Sequence, residues 1–177
     1  MMKIVPLMFL LVTATSAFAQ RYKVVKSDVS FYSEAPLENI EAHNTSAAGL
    51  FDEATGGLAF SIPINKFKFK KALMQEHFNE KYMESDKFPN ATFKGKLAGF
   101  DKSKATQKVK ASGLLNIHGV EKKVTIDGTI TRKGNKYIMD AKFPAALADY
   151  KIERPKLLWE NIAEVVDVTI HFELEQQ

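Results

Sequence analysis

The side chains best able to do chemistry near neutral pH are four histidines, His43, His77, His118 and His171. Their spacing does not gather them into a site. Metal centres draw on ligands at short fixed intervals, as in H-E-x-x-H or paired cysteines, and this chain has neither that spacing nor any cysteine. His77 reads as a helix residue at the edge of an apolar stripe, and His118 as a turn residue. A hydrolase would need a nucleophile on a G-x-S-x-G elbow, which is missing. Glu34, Glu38 and Glu41 could face one another as paired carboxylates, but acidic residues in a surface loop are ordinarily solvated. Gly56-Gly57 lies between strands and opens no helix, so it cannot cradle a phosphate. The residues therefore nominate no catalytic group, no metal and no cofactor.

The elements that would position a site are mostly strands. One exception stands near the middle. Residues 71–83 contain no Gly or Pro and are rich in good helix formers. Met74, Phe78 and Tyr82 recur at i, i+4 and i+8, with Leu73 and His77 beside them, which predicts one apolar face. Ser85, Asp86 and Pro89 end the helix, because Pro disfavours the helical conformation of Phe88 before it. In an otherwise β-rich chain this single helix reads as a lid or plug.

Elsewhere the period is two. Residues 22–31 and 40–43 predict short strands, and residues 51–54 lead into a hairpin turn at Gly56-Gly57. Leu58, Phe60, Ile62 and Ile64 alternate next, with Pro63 arguing for a sheet edge or bulge. Ala91, Phe93, Gly95 and Leu97 share a face, as do Val109, Ala111, Leu115 and Ile117. His118-Gly119 turns the chain into Val120, Val124, Ile126 and Ile130, and Lys133-Gly134-Asn135 marks another hairpin. Tyr137, Met139, Ala141 and Phe143 follow, then a loop over residues 144–155. The last strand alternates from Ile162 through Val166, Val168, Ile170 and Phe172 to Leu174. Repeated strands with short turns imply an antiparallel sheet with one buried face, and about eight of them suit closure into a barrel without exposed edges. The expectation is an all-β chain, a lipocalin-like antiparallel β-barrel with one helix capping or plugging it. Gly95, Ala111, Gly113 and Gly128 interrupt the inward face, either to leave room for something apolar or to bend tightly curved strands.

Targeting and charge narrow the setting. Lys3, an apolar run over residues 4–12 and Ala17-Phe18-Ala19 fit a cleaved signal peptide over residues 1–19, leaving one domain over residues 20–177. That run is too short to span a bilayer and no later stretch is long enough, so no integral membrane segment is expected in the mature chain. The formal net charge of +4 is spread along the sequence. Its one basic run, Lys66-Phe67-Lys68-Phe69-Lys70-Lys71, could suggest nucleic acid. Strict alternation reads more simply as a strand with Phe67 and Phe69 inward and the lysines in water, so no nucleic-acid partner is expected.

Two stretches carry a family resemblance. The run MQEHFNEKYMESDKFPNATFKG, residues 74–95, resembles the first signature of the YceI-like family of polyisoprenoid-binding proteins. ASGLLNIHGV, residues 111–120, resembles the second, and the alternating strand over residues 162–174 completes the likeness. Residues 33–45 depart from the family pattern, which makes this a divergent member at its amino-terminal end. The resemblance implies a lipocalin-like barrel whose apolar cavity sequesters or carries an isoprenoid or other amphipathic lipid, in the bacterial periplasm or secreted. Its only small-molecule partner would be that lipid, and a homodimer stays open. Side chains suited to hold such a chain are Phe60, Phe67, Met74, Phe78, Phe93, Leu115 and Met139, with Trp159 at the mouth. Each could equally be plain core. Two other readings stand beside this one, a ligand-free structural or stress-protective barrel filled by its own side chains, and an enzyme acting on a lipid.

Overall fold

The computed structural model of the chain describes residues 20–34, 39–153 and 162–177. The expected signal peptide over residues 1–19, Glu38 and Trp159 lie outside the described residues. Ten strands are formed among the described residues: β1 (Arg21–Ser33), β2 (Ile40–Asn44), β3 (Ala48–Asp52), β4 (Gly57–Pro63), β5 (Lys68–Phe69), β6 (Asn90–Ala98), β7 (Thr106–Ile117), β8 (Val120–Lys133), β9 (Lys136–Ala146) and β10 (Val165–Gln176). Eight of them close a ring in the order β1, β10, β9, β8, β7, β6, β4, β3 and back to β1, every neighbouring pair antiparallel. The expected eight-stranded barrel is thus present, with β2 and β5 added at one end.

That addition arises because β1 changes partner along its length. Arg21, Tyr22 and Lys23 pair with β3, whereas Val29 to Ser33 pair with β2, which in turn holds β5. The corner where β2 gives way to β3 is laced by a wholly buried Asn44, whose Nδ2 donates to the Pro63 carbonyl (2.7 Å) and whose Oδ1 accepts from the Ser46 amide (2.8 Å). Nearby, the Ala47 amide donates to Ser27 Oγ. Pro63 sits beyond the last β3 partner, so its missing N–H faces no strand.

The two ends of the barrel differ. At the closed end Tyr22, Phe51 and Tyr137 are almost wholly buried and meet edge-on or tilted, with Tyr22 and Tyr137 ring centres 4.8 Å apart and Phe100 packed on Phe51 at 5.2 Å. Edge-to-face pairs of this kind add about 0.5–1.5 kcal/mol each beyond area burial. The Tyr137 hydroxyl donates to the buried Glu53 carboxylate at 2.5 Å. Burial first, and then this carboxylate, hold the Tyr137 phenol far above its ordinary value.

Several expectations need correction. The helix is an α-turn pair only over Ala72–His77 (α1) and widens into a π-turn over Phe78–Tyr82. The Met83 amide reaches back to the Phe78 carbonyl (2.8 Å), and Asn79 Nδ2 takes the Gln75 carbonyl (2.8 Å). Leu73 is 60% exposed rather than part of the inward stripe, and Met74, Phe78 and Tyr82 are half-buried, not core. The strand expected to carry both Phe67 and Phe69 is only Lys68–Phe69, because Ile64–Lys66 forms a 3-10 turn that Phe67 ends. The interruption after Phe143 starts later than expected. β9 runs through Pro144 to Ala146, and Pro144 is tolerated because β8 pairs with β9 only as far as Ala141. The final strand begins at Val165, not Ile162.

Candidate functional site: an apolar cavity under a lid

Inside the barrel lies a cavity of about 530 Å³, in the range of small-molecule sites. It begins above the closed end at Leu58, Ile130 and Phe172 and extends to α1 and its π-turn. Its existence follows from residue size as well as closure. Ala91, Ala111, Ala141 and Gly128 all face it, so four wall positions contribute almost no side chain. Gly95 and Gly113 serve the other purpose that the sequence left open. They oppose one another across β6 and β7, and a Cβ on Gly113 would stand 2.2 Å from the Lys94 carbonyl oxygen and 2.6 Å from the Gly95 Cα. These two glycines let curved strands approach, whereas Gly128 borders the void.

Of the residues expected from sequence, Phe60, Phe67, Met74, Phe78, Phe93, Leu115 and Met139 all line the cavity, and Trp159 lies outside the described residues. Phe60 is tilted against Phe172 with ring centres 4.7 Å apart. Under the lid, Phe78 stacks on Phe31 (5.4 Å) and meets Phe67 (5.6 Å) and Phe69 (5.0 Å). Phe31 was missed by sequence reasoning because an extra residue, Val25, shifts the period of two within β1, and only beyond it do Val29 and Phe31 share the inward face. Tyr150 was missed because its stretch reads as loop. It belongs to a 3-10 turn, Leu147–Tyr150, that closes the mouth beside the lid. Burial raises the Tyr82 phenol above its ordinary value, and burial followed by Asp149 does the same for Tyr150.

The mouth is pinned at one corner by three non-glycine residues with left-handed backbones, Glu84 (φ 42°), His118 (φ 53°) and Lys151 (φ 55°). Each conformation costs roughly 1–2 kcal/mol for an L-residue and needs its surroundings to hold it. His118 supplies the link. Its Nδ1–H donates to the Tyr150 carbonyl (3.1 Å), its Nε2 stands 3.0 Å from the Glu84 carboxylate, and its ring meets Phe88 edge-on at 4.5 Å. The lid's end, the β7–β8 turn and the turn after β9 are thereby tied together. Across the gap left where β8 and β9 cease to pair, Lys122 reaches Asp149 at 2.6 Å.

The other histidines point elsewhere. His43 lies on the outer face between Asp28 (3.0 Å) and Glu41 (3.2 Å), its hydrogen bond to the Asp28 carboxylate being the chief cause that raises its pKa, and His171 pairs with Asp140 (2.7 Å). Among the described residues no group of three or more His, Cys, Asp or Glu is placed to hold a metal ion. No helix among them is long and apolar enough to cross a membrane. What the cavity can do is remove apolar surface from water, at about 2.5 kcal/mol for each ~100 Å² buried.

Solved structures share this architecture. A polyisoprenoid-binding domain from Saccharophagus degradans aligns with a TM-score of 0.76 at 16% identity, over 88% of this chain and 98% of that one. BcnA of Burkholderia cenocepacia aligns with a TM-score of 0.70 at 21% identity, over 83% and 95%. The YceI protein of Campylobacter jejuni aligns with a TM-score of 0.59 at 21% identity, over 75% and 80%. Identities this low speak for the fold alone. No curated protein matches the chain in sequence. The YceI-like domain family matches residues 17–174, nearly the whole chain, and with the lidded eight-stranded barrel it shows that this protein belongs to the YceI-like family.

Proposed function

We propose that this protein binds an isoprenoid or comparable amphipathic lipid, holding the chain inside the barrel and carrying it without chemical change. The observation behind this reading is the apolar cavity of about 530 Å³ capped by Met74 and Phe78. A barrel that served only as a rigid structure would gain stability by filling that space, since an unfilled void forfeits dispersion contacts on every wall. The polyisoprenoid-binding domain from Saccharophagus degradans supports the same class of ligand by likeness of fold. A lipid tail offers nothing to hydrogen-bond, so the half-buried Phe and Met side chains of the lid suit it, methionine adapting to an irregular chain. We further infer export, with cleavage after Ala19 and residence in the periplasm or outside the cell, from the signal-peptide pattern of residues 1–19.

Native mass spectrometry of the protein purified from the compartment to which it is exported tests both parts. The carrier reading expects a stoichiometric apolar adduct that organic extraction removes, on a polypeptide beginning at Gln20. A bare polypeptide mass before and after extraction would overturn it, and a chain still beginning at Met1 would overturn the export assignment.

A further inference from the structure

The lysine run over residues 66–71 has so far been explained only as a solvated face. Its position is more specific than that. The segment that roofs the cavity with Phe67, Phe69 and Met74 on its inner side exposes Lys66, Lys68, Lys70 and Lys71 on its outer side, followed by Leu73 at 60% exposure. Many lysines on the barrel wall are matched across strands, as Lys26 is to Glu173 (2.7 Å) and Lys142 to Asp167 (2.9 Å). Lys66, Lys68 and Lys70 have no carboxylate in ion-pair range among the described residues. On the adjoining strands Asp28 and Glu41 are turned to His43, at 3.0 Å and 3.2 Å, and not to these lysines. On the lid itself the first acid is Glu76, beyond Leu73.

Two further exposed apolar side chains stand at the same end. Tyr32 near the end of β1 and Val165 at the start of β10 are 38% and 48% exposed, and β10, β1, β2 and β5 follow one another round this side of the mouth. Among the described residues the outer edge of β5 has no strand beside it, and the lid's Gln75 Oε1 accepts from the Phe69 amide at 3.4 Å. Cations beside protruding apolar groups, at the rim of an apolar cavity, fit one kind of partner.

We propose that the Lys66–Leu73 segment docks on an anionic lipid bilayer, its lysines on the phosphates and Leu73 in the headgroup layer, which sets the lid and the edge of β5 against the surface from which a lipid chain would pass inward. The purpose of the docking rests on the lipid-carrier reading, while the docking itself requires no ligand in the barrel. Charge complementarity decides the occupant. A second copy would bring the same lysines face to face, and an acidic protein would gain little from Leu73.

Cosedimentation with phosphatidylcholine vesicles, with and without phosphatidylglycerol, tests the proposal on the full mature chain. Wild type should bind only the anionic vesicles, and added salt should release it, because exposed charges are screened beyond a Debye length. Each lysine at such a surface is worth roughly fivefold in partition, so a Lys68→Gln, Lys70→Gln variant should bind about thirtyfold more weakly. Leu73→Ser should weaken binding further. Lys108→Gln with Lys133→Gln, at the opposite end of the barrel, should bind as wild type. Because all these side chains are exposed, folding is not at stake, and an unchanged far-ultraviolet circular dichroism spectrum checks it. Equal binding to uncharged vesicles, wild-type binding by the Lys68/Lys70 variant, or an equal loss in the Lys108/Lys133 control would overturn the proposal. So would a vesicle-free dimer that Leu73→Ser dissolves, which would give the face to a second copy. Extraction of the same preparations separates the two readings: bound lipid without vesicle binding refutes the docking alone, and vesicle binding with a cavity that never holds lipid refutes the carrier alone.

Discussion

Phe51→Ala and Phe78→Ala delete the same side chain from the two ends of the barrel and should give different results. Phe51 is 0% exposed, meets Tyr22, Phe100 and Tyr137 and lies outside the cavity lining. Its truncation opens a void in packed core, for which a Phe→Ala change costs about 3–5 kcal/mol. Phe78 is half-buried and faces a void that already exists. Half of the ordinary burial term is roughly 1 kcal/mol. Its lost ring contacts with Phe31, Phe67 and Phe69, each at the low end of about 0.5–1.5 kcal/mol because the ring also borders the void, add about 1.5 kcal/mol, for a total of roughly 2.5. Urea melts of ligand-stripped protein measure both costs, and titration with a fluorescent isoprenoid analogue measures binding. Phe51→Ala should lose more stability while its folded fraction binds as wild type. Phe78→Ala should lose less stability and more binding. Equal destabilisation with equal effects on binding would mean that the two ends are one core and that the cavity has no functional meaning.

Met74→Trp places an indole into the space a ligand would use, so bound lipid should fall sharply with little change in urea midpoint. An overpacked core would instead lose about 1–3 kcal/mol. Asn44→Ala strands the Pro63 carbonyl and the Ser46 amide at a buried corner, and urea melts should show a loss of about 1–3 kcal/mol. Alkali should destabilise the fold through Tyr137. Its folded-state pKa stands above the ordinary 10.0, so the unfolded chain gives up this proton first. The stabilisation is therefore intact below about pH 10 and is lost progressively above it. Tyr137→Phe should flatten the decline of urea midpoint with pH in that range, and an unchanged slope would show that Glu53 and burial do not hold the proton.

Barrel closure and the inward faces of β6 to β10 were legible because a half-buried antiparallel strand writes its burial directly into a period of two. The places where reading failed are those where the period shifts. In β1, Val25 is an extra residue between Val24, opposite Leu174, and Lys26, opposite Glu173. The inward residues therefore change from Tyr22 and Val24 to Ser27, Val29 and Phe31, and no single period covers the strand. A shift of another kind occurs in the lid, where a helical period of 3.6 is broken by the π-turn at Phe78. That turn puts Met83, five residues on, over the cavity with Phe78 and leaves Leu73 outside. Tyr150 and Leu147 reach the cavity from a 3-10 turn, whose four residues are too few to show any period.

The two signature stretches were specific for a reason the structure makes physical. They are separate in sequence yet meet in space, along the pairing of β6 with β7 and again at the corner of the mouth. Gly95 from the first and Gly113 from the second face each other where β6 and β7 come too close for a Cβ on either. Glu84 and Phe88 from the first close on His118 and Gly119 from the second. At that corner the β7–β8 turn has two residues with positive φ, 53° and 72°, the geometry of a two-residue hairpin that matches strand twist. A Cβ on Gly119 would stand 2.4 Å from the Phe88 ring. His118 must accept a left-handed backbone while its two ring nitrogens reach two different elements. Each position thus answers to backbone conformation, close approach and hydrogen bonding together, which few residue types satisfy. The cavity walls ask only for apolar side chains of suitable volume, and many combinations meet that demand. A chain can therefore keep the corner that anchors its lid while its walls change to suit a different lipid, which is why the family was readable from residues 74–95 and 111–120 and the ligand was not.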